Sequence, residues 1–255
     1  MGTDITALRK AFEQAIASET KNLEKAAVLF SAGLDSSLIA KAVSERIPQT
    51  ELFAVGTKNS KDLAFAGDVA EEMGLKLNIR TIDESEISAY IEKTKQALGP
   101  ELSKELLQLQ IGVPQYIALE FVKKHNFDVV FSGQGGDELF CGYAGFKRIL
   151  EEGGYPAVEK EIAHLLEIMP QRNLARESTL TKHFSIEQRT PFLDESFKRE
   201  AMKIPAQEKI LSPDDALRKH PLRALARELG VPEKACTRPK KAIQYGSGVA
   251  GLIGH

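Results

Sequence analysis

Residues 26–37 read Ala26-Ala27-Val28-Leu29-Phe30-Ser31-Ala32-Gly33-Leu34-Asp35-Ser36-Ser37, and the change of character at Ser31 decides the fold. Five apolar residues of strand length stop at a polar turn containing a glycine. Beyond it Leu38, Ile39, Ala42 and Val43 recur at helical spacing within residues 36–46, so the stretch reads as strand, tight loop, helix. The alternation continues with a strand over 51–56, a helix over 61–73 ending near Gly74, and a strand over 76–82. Helical stretches over 84–97 and 103–124 lead to a further strand over 127–131, and upstream Ile5, Leu8, Phe12 and Ile16 place an amphipathic helix over 4–19. Strands separated by helices pair in parallel. The expected class is α/β, a parallel-sheet, Rossmann-like core over residues 1–142.

From Tyr143 onward the strand signal fades. Pro156, Pro170, Pro191, Pro205, Pro213, Pro221 and Pro232 separate helical stretches, so residues 143–255 read as a mainly helical extension of one domain spanning 1–255. The 127–131 strand, like the first, ends in a Gly-rich polar loop, Ser132-Gly133-Gln134-Gly135-Gly136-Asp137-Glu138. Ligands of open parallel sheets bind beyond the carboxyl ends of strands, so the two loops are expected to face each other across one crevice.

Composition narrows the function. The chain has 255 residues, 42% hydrophobic and 27% charged, which excludes disordered and fibrous classes. A formal net charge of −2 supplies no global field for nucleic acid or an anionic membrane. No apolar run approaches the roughly 20 residues of a membrane span. Cys141 and Cys236, far apart, make no disulfide or zinc framework, and no signal peptide is read at the N-terminus, so a cytoplasmic setting is expected.

The first loop has the chemistry of a phosphate site. Backbone N–H groups at a helix N-terminus point outward unpaired, glycine lets a ligand approach them, and Ser31, Ser36 and Ser37 add hydroxyls. Asp35 would repel a bare phosphate, so its presence calls for a cation, most simply Mg²⁺ shared with polyphosphate oxygens; its alternative role is a helix cap. The loop is neither G-x-x-x-x-G-K-[ST] nor G-x-G-x-x-G.

The loop resembles the S-G-G-x-D-S signature of the PP-loop ATP pyrophosphatases. Ala32 departs from that pattern's second residue, Gly, harmlessly if its φ is negative and with strain if positive. The second loop, Ser132 to Tyr143, is similar to S-G-E-G-S-D-E-[LV]-F-G-G-Y of the asparagine synthetase family's synthetase domain. Glu187-Gln188-Arg189-Thr190-Pro191-Phe192-Leu193-Asp194 resembles E-x-R-x-P-F-L-D, and Lys219 to Arg223 with Arg238-Pro239-Lys240 resembles K-x-x-L-R and R-x-K. The resemblance runs from residue 4 to about 248.

It implies an ATP-dependent, AMP-forming carbon–nitrogen ligase that adenylates a carboxylate, L-aspartate by default, and passes the acyl group to ammonia or another amine, forming asparagine in the default case. It implies ATP and Mg²⁺ as cofactors, with Asp35 and Asp137 as metal ligands. Ser31, Gly33, Asp35, Ser36, Ser37 and Gly133 would bind pyrophosphate, and Val55 and Gly56 would lie near adenine, although Val55 reads equally as core. Lys240 would stabilise charge developing on the α phosphate. The stretch 218–241 carries eight Lys or Arg against two Glu; such a run is usually a solvated face, and Arg223 and Lys241 read as surface.

Three departures stand out. Gln134 occupies the position of a family Glu that handles the nitrogen nucleophile; an amide can orient that nucleophile but cannot take its proton. Gln110, four residues before Pro114, replaces a substrate-site Arg, which weakens the case for free aspartate. Cys141 replaces a Gly and reads as a tolerated small residue. Position 2 is Gly2, where full-length members expose a processed Cys nucleophile, so no glutaminase domain is expected. Nitrogen would come from ammonia or a separate glutaminase chain, and a homodimer is the expected assembly. Two other readings remain open: a PP-loop enzyme modifying a nucleic-acid base, and a nucleotide-binding subunit without turnover.

Overall fold

The computed structural model describes residues 4–58, 60–240 and 248–253. Lys241 lies outside the described residues. Five strands form one parallel sheet: β1 (Lys25–Leu29), β2 (Gln49–Thr57), β3 (Lys76–Ile82), β4 (Val129–Phe131) and β5 (Glu187–Arg189), in the order β3-β2-β1-β4-β5. The α/β class and the parallel pairing are as expected. The chain runs outward from β1 to β2 and β3, then crosses to the other side for β4 and β5, so the topological switch point lies between β1 and β4. There Ala27 pairs with Val130 and Val28 with Phe131, and the loops that follow both strands emerge side by side.

Helix α7 (Gly145–Ile168) packs on the short α6 (Gly136–Leu139) and α10 (Ala206–Lys209), and other helices cover both faces of the sheet. On one, α1 (Thr6–Glu19), α2 (Leu34–Ser44), α9 (Glu195–Lys203) and α11 (His220–Glu228) bury a common core with β1 and β4. Its centre is an aromatic trio, in which Phe12 lies 5.7 Å from both Phe192 and Phe197, and those two lie 5.4 Å apart. On the other, α4 (Ile87–Ser103), α5 (Leu106–Lys124) and α8 (Asn173–His183) pack around Phe53, Val113, Ile117 and Leu180. Helix α3 (Lys61–Glu72) stops where Gly74 adopts φ +66° and the Leu75 amide bonds back to Ala70, the left-handed helix stop that glycine permits. Gly99, at φ +73°, breaks α4 before Pro100.

The C-terminal region is mainly helical, as expected, and adds one strand to the sheet, because β5 belongs to it and pairs with β4. The three residues Glu187, Gln188 and Arg189 have no apolar pattern, and their strand is made by backbone pairing at the sheet edge. The described part of the basic stretch, 218–240, is not a solvated face. Arg223 is 2% exposed and donates to the carbonyls of Leu217, Arg218, Cys236 and Arg238, so it staples this segment internally. Arg218, also buried, donates to the Gly142 carbonyl at 3.0 Å. Among the described residues no helix is long and apolar enough to cross a membrane.

Candidate active site at the sheet switch point

The first loop is tied up by its own serines. Ser36 Oγ lies 3.2 Å from Ser31 Oγ and donates to the Gly33 carbonyl at 3.2 Å, while the Ser37 amide closes the first turn of α2 on Gly33 at 3.0 Å. Ala32 has φ +52° and is fully buried, so the strained alternative is the one observed. Cys141, φ +58°, repeats the situation in the second loop. Both positions carry Gly in the motifs they resemble, and the left-handed backbone is the physical reason.

The two loops touch backbone to backbone. A Cβ on Gly133 would stand 2.7 Å from Cβ of Asp35, and one on Gly136 would stand 2.8 Å from Asp35 Oδ1. Glycine therefore sets how closely Asp35 and Asp137 approach. A Cβ on Gly142 would fall 2.0 Å from Asp137 Oδ1 and 2.3 Å from Lys219 Cε, which leaves that position no alternative.

Two lysines from the C-terminal region complete the centre. Lys219 Nζ lies 2.5 Å from Asp35 Oδ2 and 2.6 Å from Asp137 Oδ1. Lys240 Nζ lies 2.5 Å from Asp137 Oδ2 and 3.9 Å from Asp35 Oδ2. Two carboxylates facing two ammoniums make a neutral quartet, which is how charges this deep are tolerated. Burial alone would raise the Asp137 carboxyl, but Lys219 and Lys240 hold it well below the ordinary range. Burial alone would lower Lys240, but Asp137 and Asp35 hold it above the usual lysine value. Lys219 is 2% exposed, whereas Lys240 is 28% exposed and open to the cleft.

The quartet is the floor of a cleft of about 280 Å³. Ser31, Gly33, Asp35 and Ser36 line one side and Gly133, Gln134 and Asp137 the other, with Val55 and Phe53 from β2 forming an apolar wall. Ser37 and Gly56 are not among the lining residues; Ser37 is fully buried within α2. Gln110 does not line the cleft, although Ile111, Pro114, Gln115 and Ala118 from the same helix do. Arg238 ties the first loop to α3: it donates to the Ser31 carbonyl at 2.9 Å and to Asp62 at 2.6 Å, and its guanidinium lies 4.2 Å from the Phe65 ring centroid.

The residues fit a divalent cation. Asp35 Oδ1 is buried and accepts no hydrogen bond, and Asp137 Oδ1 has only its ion pair with Lys219. Two hard carboxylates with an unsatisfied oxygen suit Mg²⁺, which takes one or two carboxylates and completes its shell with phosphate oxygens and water. Among the described residues no three His, Cys, Asp or Glu side chains gather into a closed metal cluster.

The far wall carries a polar network absent from the sequence reading. Arg176, 3% exposed, donates from Nε to Gln115 at 2.9 Å and from Nη1 to Gln108 at 2.7 Å. Glu177 beside it accepts from Gln115 at 3.0 Å and from Gln188 at 2.5 Å, and Gln188 also donates to Ser132 Oγ at 3.0 Å. Tyr143 donates to Glu138 at 2.6 Å, as does Asn173 at 3.1 Å. Burial raises the carboxyls of Glu138 and Glu177. Helical Glu and Arg look the same in sequence whether they face solvent or a cleft, so no pattern marked these two. Lys219 stands in the K-x-x-L-R motif, but its charge does not distinguish it from its neighbours in the basic run.

The family model described as asparagine synthase matches residues 7–167 and 152–253. A protein of Methanocaldococcus jannaschii provisionally named asparagine synthetase [glutamine-hydrolyzing] 1 is 33% identical over 96% of this chain and 50% of its own length. The asparagine synthetase [glutamine-hydrolyzing] of Sandersonia aurantiaca is 28% identical over 83% of this chain and 41% of its own. The chain thus spans half or less of the length of these relatives. A solved NMN synthetase from Francisella tularensis superposes with a TM-score of 0.47 at 12% identity, covering 99% of this chain and 78% of that one.

Proposed function

The chain belongs to the asparagine synthase family, and on that premise we propose that it is an ATP-dependent, AMP-forming amide ligase. It adenylates a carboxylate, L-aspartate being the first candidate, releases pyrophosphate and transfers the acyl group to ammonia or an amine. The observation that carries this reading is the Asp35–Lys219–Asp137–Lys240 quartet at the carboxyl ends of β1 and β4. Anionic and cationic groups alternate there beside a helix N-terminus, as a polyphosphate and its counter-ion require.

The N-terminus of α2, with Ser31, Gly33 and Ser36 and the Gly133 backbone, holds the β and γ phosphates, Ser37 supports that first helical turn from behind, and Gly56 follows Val55 on β2 at the adenine side. Val55 and Phe53 flank the adenine. Asp35 and Asp137 would hold Mg²⁺, which when bound offsets charge on the departing pyrophosphate. Lys240, exposed to the cleft, stabilises charge that grows on the α phosphate as the acid attacks, and Lys219 anchors both carboxylates. Gln134 orients the nitrogen nucleophile by hydrogen bonding. The nitrogen comes as ammonia or from a separate glutaminase chain, and the reading includes a homodimer in the cytoplasm.

Arg218, Lys219 and Arg223 are buried with internal partners, which disfavours a nucleic-acid track along residues 218–241. The test is AMP and pyrophosphate release from Mg²⁺-ATP and ammonium, with and without L-aspartate. Asparagine formed with stoichiometric AMP is the expected result. ADP and phosphate as products would reject the reading.

A further inference from the structure

Amide formation releases a proton, and Gln134 cannot take it. When ammonia attacks the acyl carbon, AMP leaves with the electrons of the carbon–oxygen bond, and the nitrogen carries one proton too many until a base removes it. Among the described residues four carboxylates line the cleft: Asp35, Asp62, Asp137 and Glu177. Asp35 and Asp137 are held by the two lysines, and Asp62 is paired with Arg238 at 2.6 Å. No histidine is among the lining residues described. Tyr143 lines the cleft, but its hydroxyl is committed to Glu138.

We propose that Glu177, on α8, is the general base that accepts the proton of the nitrogen nucleophile, supplying from the far wall the carboxylate that residue 134 lacks. This rests on the ligase reading above. Its side chain is 8% exposed and borders the same cleft as Gln134. Gln115 and Gln188 each donate one hydrogen bond to it, one per oxygen, which fixes the carboxylate and leaves each oxygen a lone pair. The charged groups facing it are Arg176, with Nη2 3.9 Å away, and Glu138 from the second loop; α5 and β5 present neutral amides. Burial raises its carboxyl above the ordinary glutamate value, which makes the anion a stronger base than a surface glutamate. After transfer the proton leaves with product release to water.

Glu177→Gln and the double variant Glu177→Gln/Gln134→Glu test it. Two rates are read in each: aspartate-dependent ATP–pyrophosphate exchange without nitrogen donor, which reports adenylation, and asparagine formation with ammonium. Glu177→Gln is expected to lower amide formation by about 100-fold while exchange falls by less than about fivefold, and the double variant is expected to recover at least about tenfold of the loss. Amide formation unchanged in Glu177→Gln overturns the assignment. So does a parallel fall of both rates without recovery in the double variant, which marks a structural role. Should a thermal melt show that Glu177→Gln does not fold, Glu177→Asp takes its place: amide formation is expected to slow more than exchange, and equal effects overturn the proposal. Absence of exchange in the parent with aspartate and a panel of other amino and dicarboxylic acids overturns the ligase reading itself, and Glu177's role with it.

Discussion

Lys219 Nζ lies 2.5 Å from Asp35 Oδ2, a contact across 184 residues of sequence that joins the residue preceding α11 to the first turn of α2. It brings the C-terminal region, read from sequence as an extension, into the centre of the site. Lys219 reaches it from a left-handed backbone, φ +56°, between the buried Arg218 and the start of a helix.

Lys219→Met should cost about 3 kcal/mol of stability, the usual penalty for removing one partner of a buried pair. The loss should shrink when Mg²⁺ and pyrophosphate are added, since a bound cation offsets the same carboxylates. Urea unfolding with and without these additions measures both effects; a variant as stable as the parent would show that the pair contributes nothing.

Gly142→Ala should abolish pyrophosphate release, because its Cβ would collide with Asp137 Oδ1 and Lys219 Cε. Gly145→Ala, only three residues on, has nothing within 4 Å of its added carbon and should retain parental turnover. Equal activity in the two variants would mean that the quartet is not needed.

Ala32→Gly should be neutral or raise stability by up to about 1 kcal/mol, as relief of the left-handed strain competes with added freedom in the unfolded chain. Ala32→Val should be clearly destabilising at the same position, since a β-branched side chain tolerates φ +52° worse. Thermal melts of the three proteins decide it, and a Val variant matching Ala would contradict the strain argument.

Acid should act partly through Asp215. Burial alone would raise this carboxyl, but the backbone amides of Arg218 and Leu211 and the His220 ring hold it at about 2. Its folded value lies below its unfolded one, so its contribution is fully present above about pH 4 and is lost as pH falls toward 2. The stability gap between parent and Asp215→Asn, from urea midpoints, should be widest near pH 6 and narrow steadily below pH 4. A gap independent of pH would refute it.

The legible parts of the sequence were those where apolar runs met glycine and hydroxyls. The ends of β1 and β4 announced two facing loops because buried strands are apolar and phosphate-type loops are not. Strand β5 was invisible, since Glu187, Gln188 and Arg189 earn their place by backbone pairing with β4 and show no alternation. Arg223 misled because the sequence gives its charge but not the four carbonyls around it. Ser37 shares the hydroxyl chemistry of Ser31 and Ser36, yet one further residue along α2 turns it into the core.

Carboxylate-dependent ATP–pyrophosphate exchange, measured without any nitrogen donor in the parent and in Asp137→Ala, tests the central claim most directly because it reads adenylation alone. The account predicts exchange that requires an added acid, L-aspartate first, and that disappears in Asp137→Ala while the variant still melts cooperatively. Exchange that persists in Asp137→Ala, or its absence from the parent with every acid tried, would contradict it.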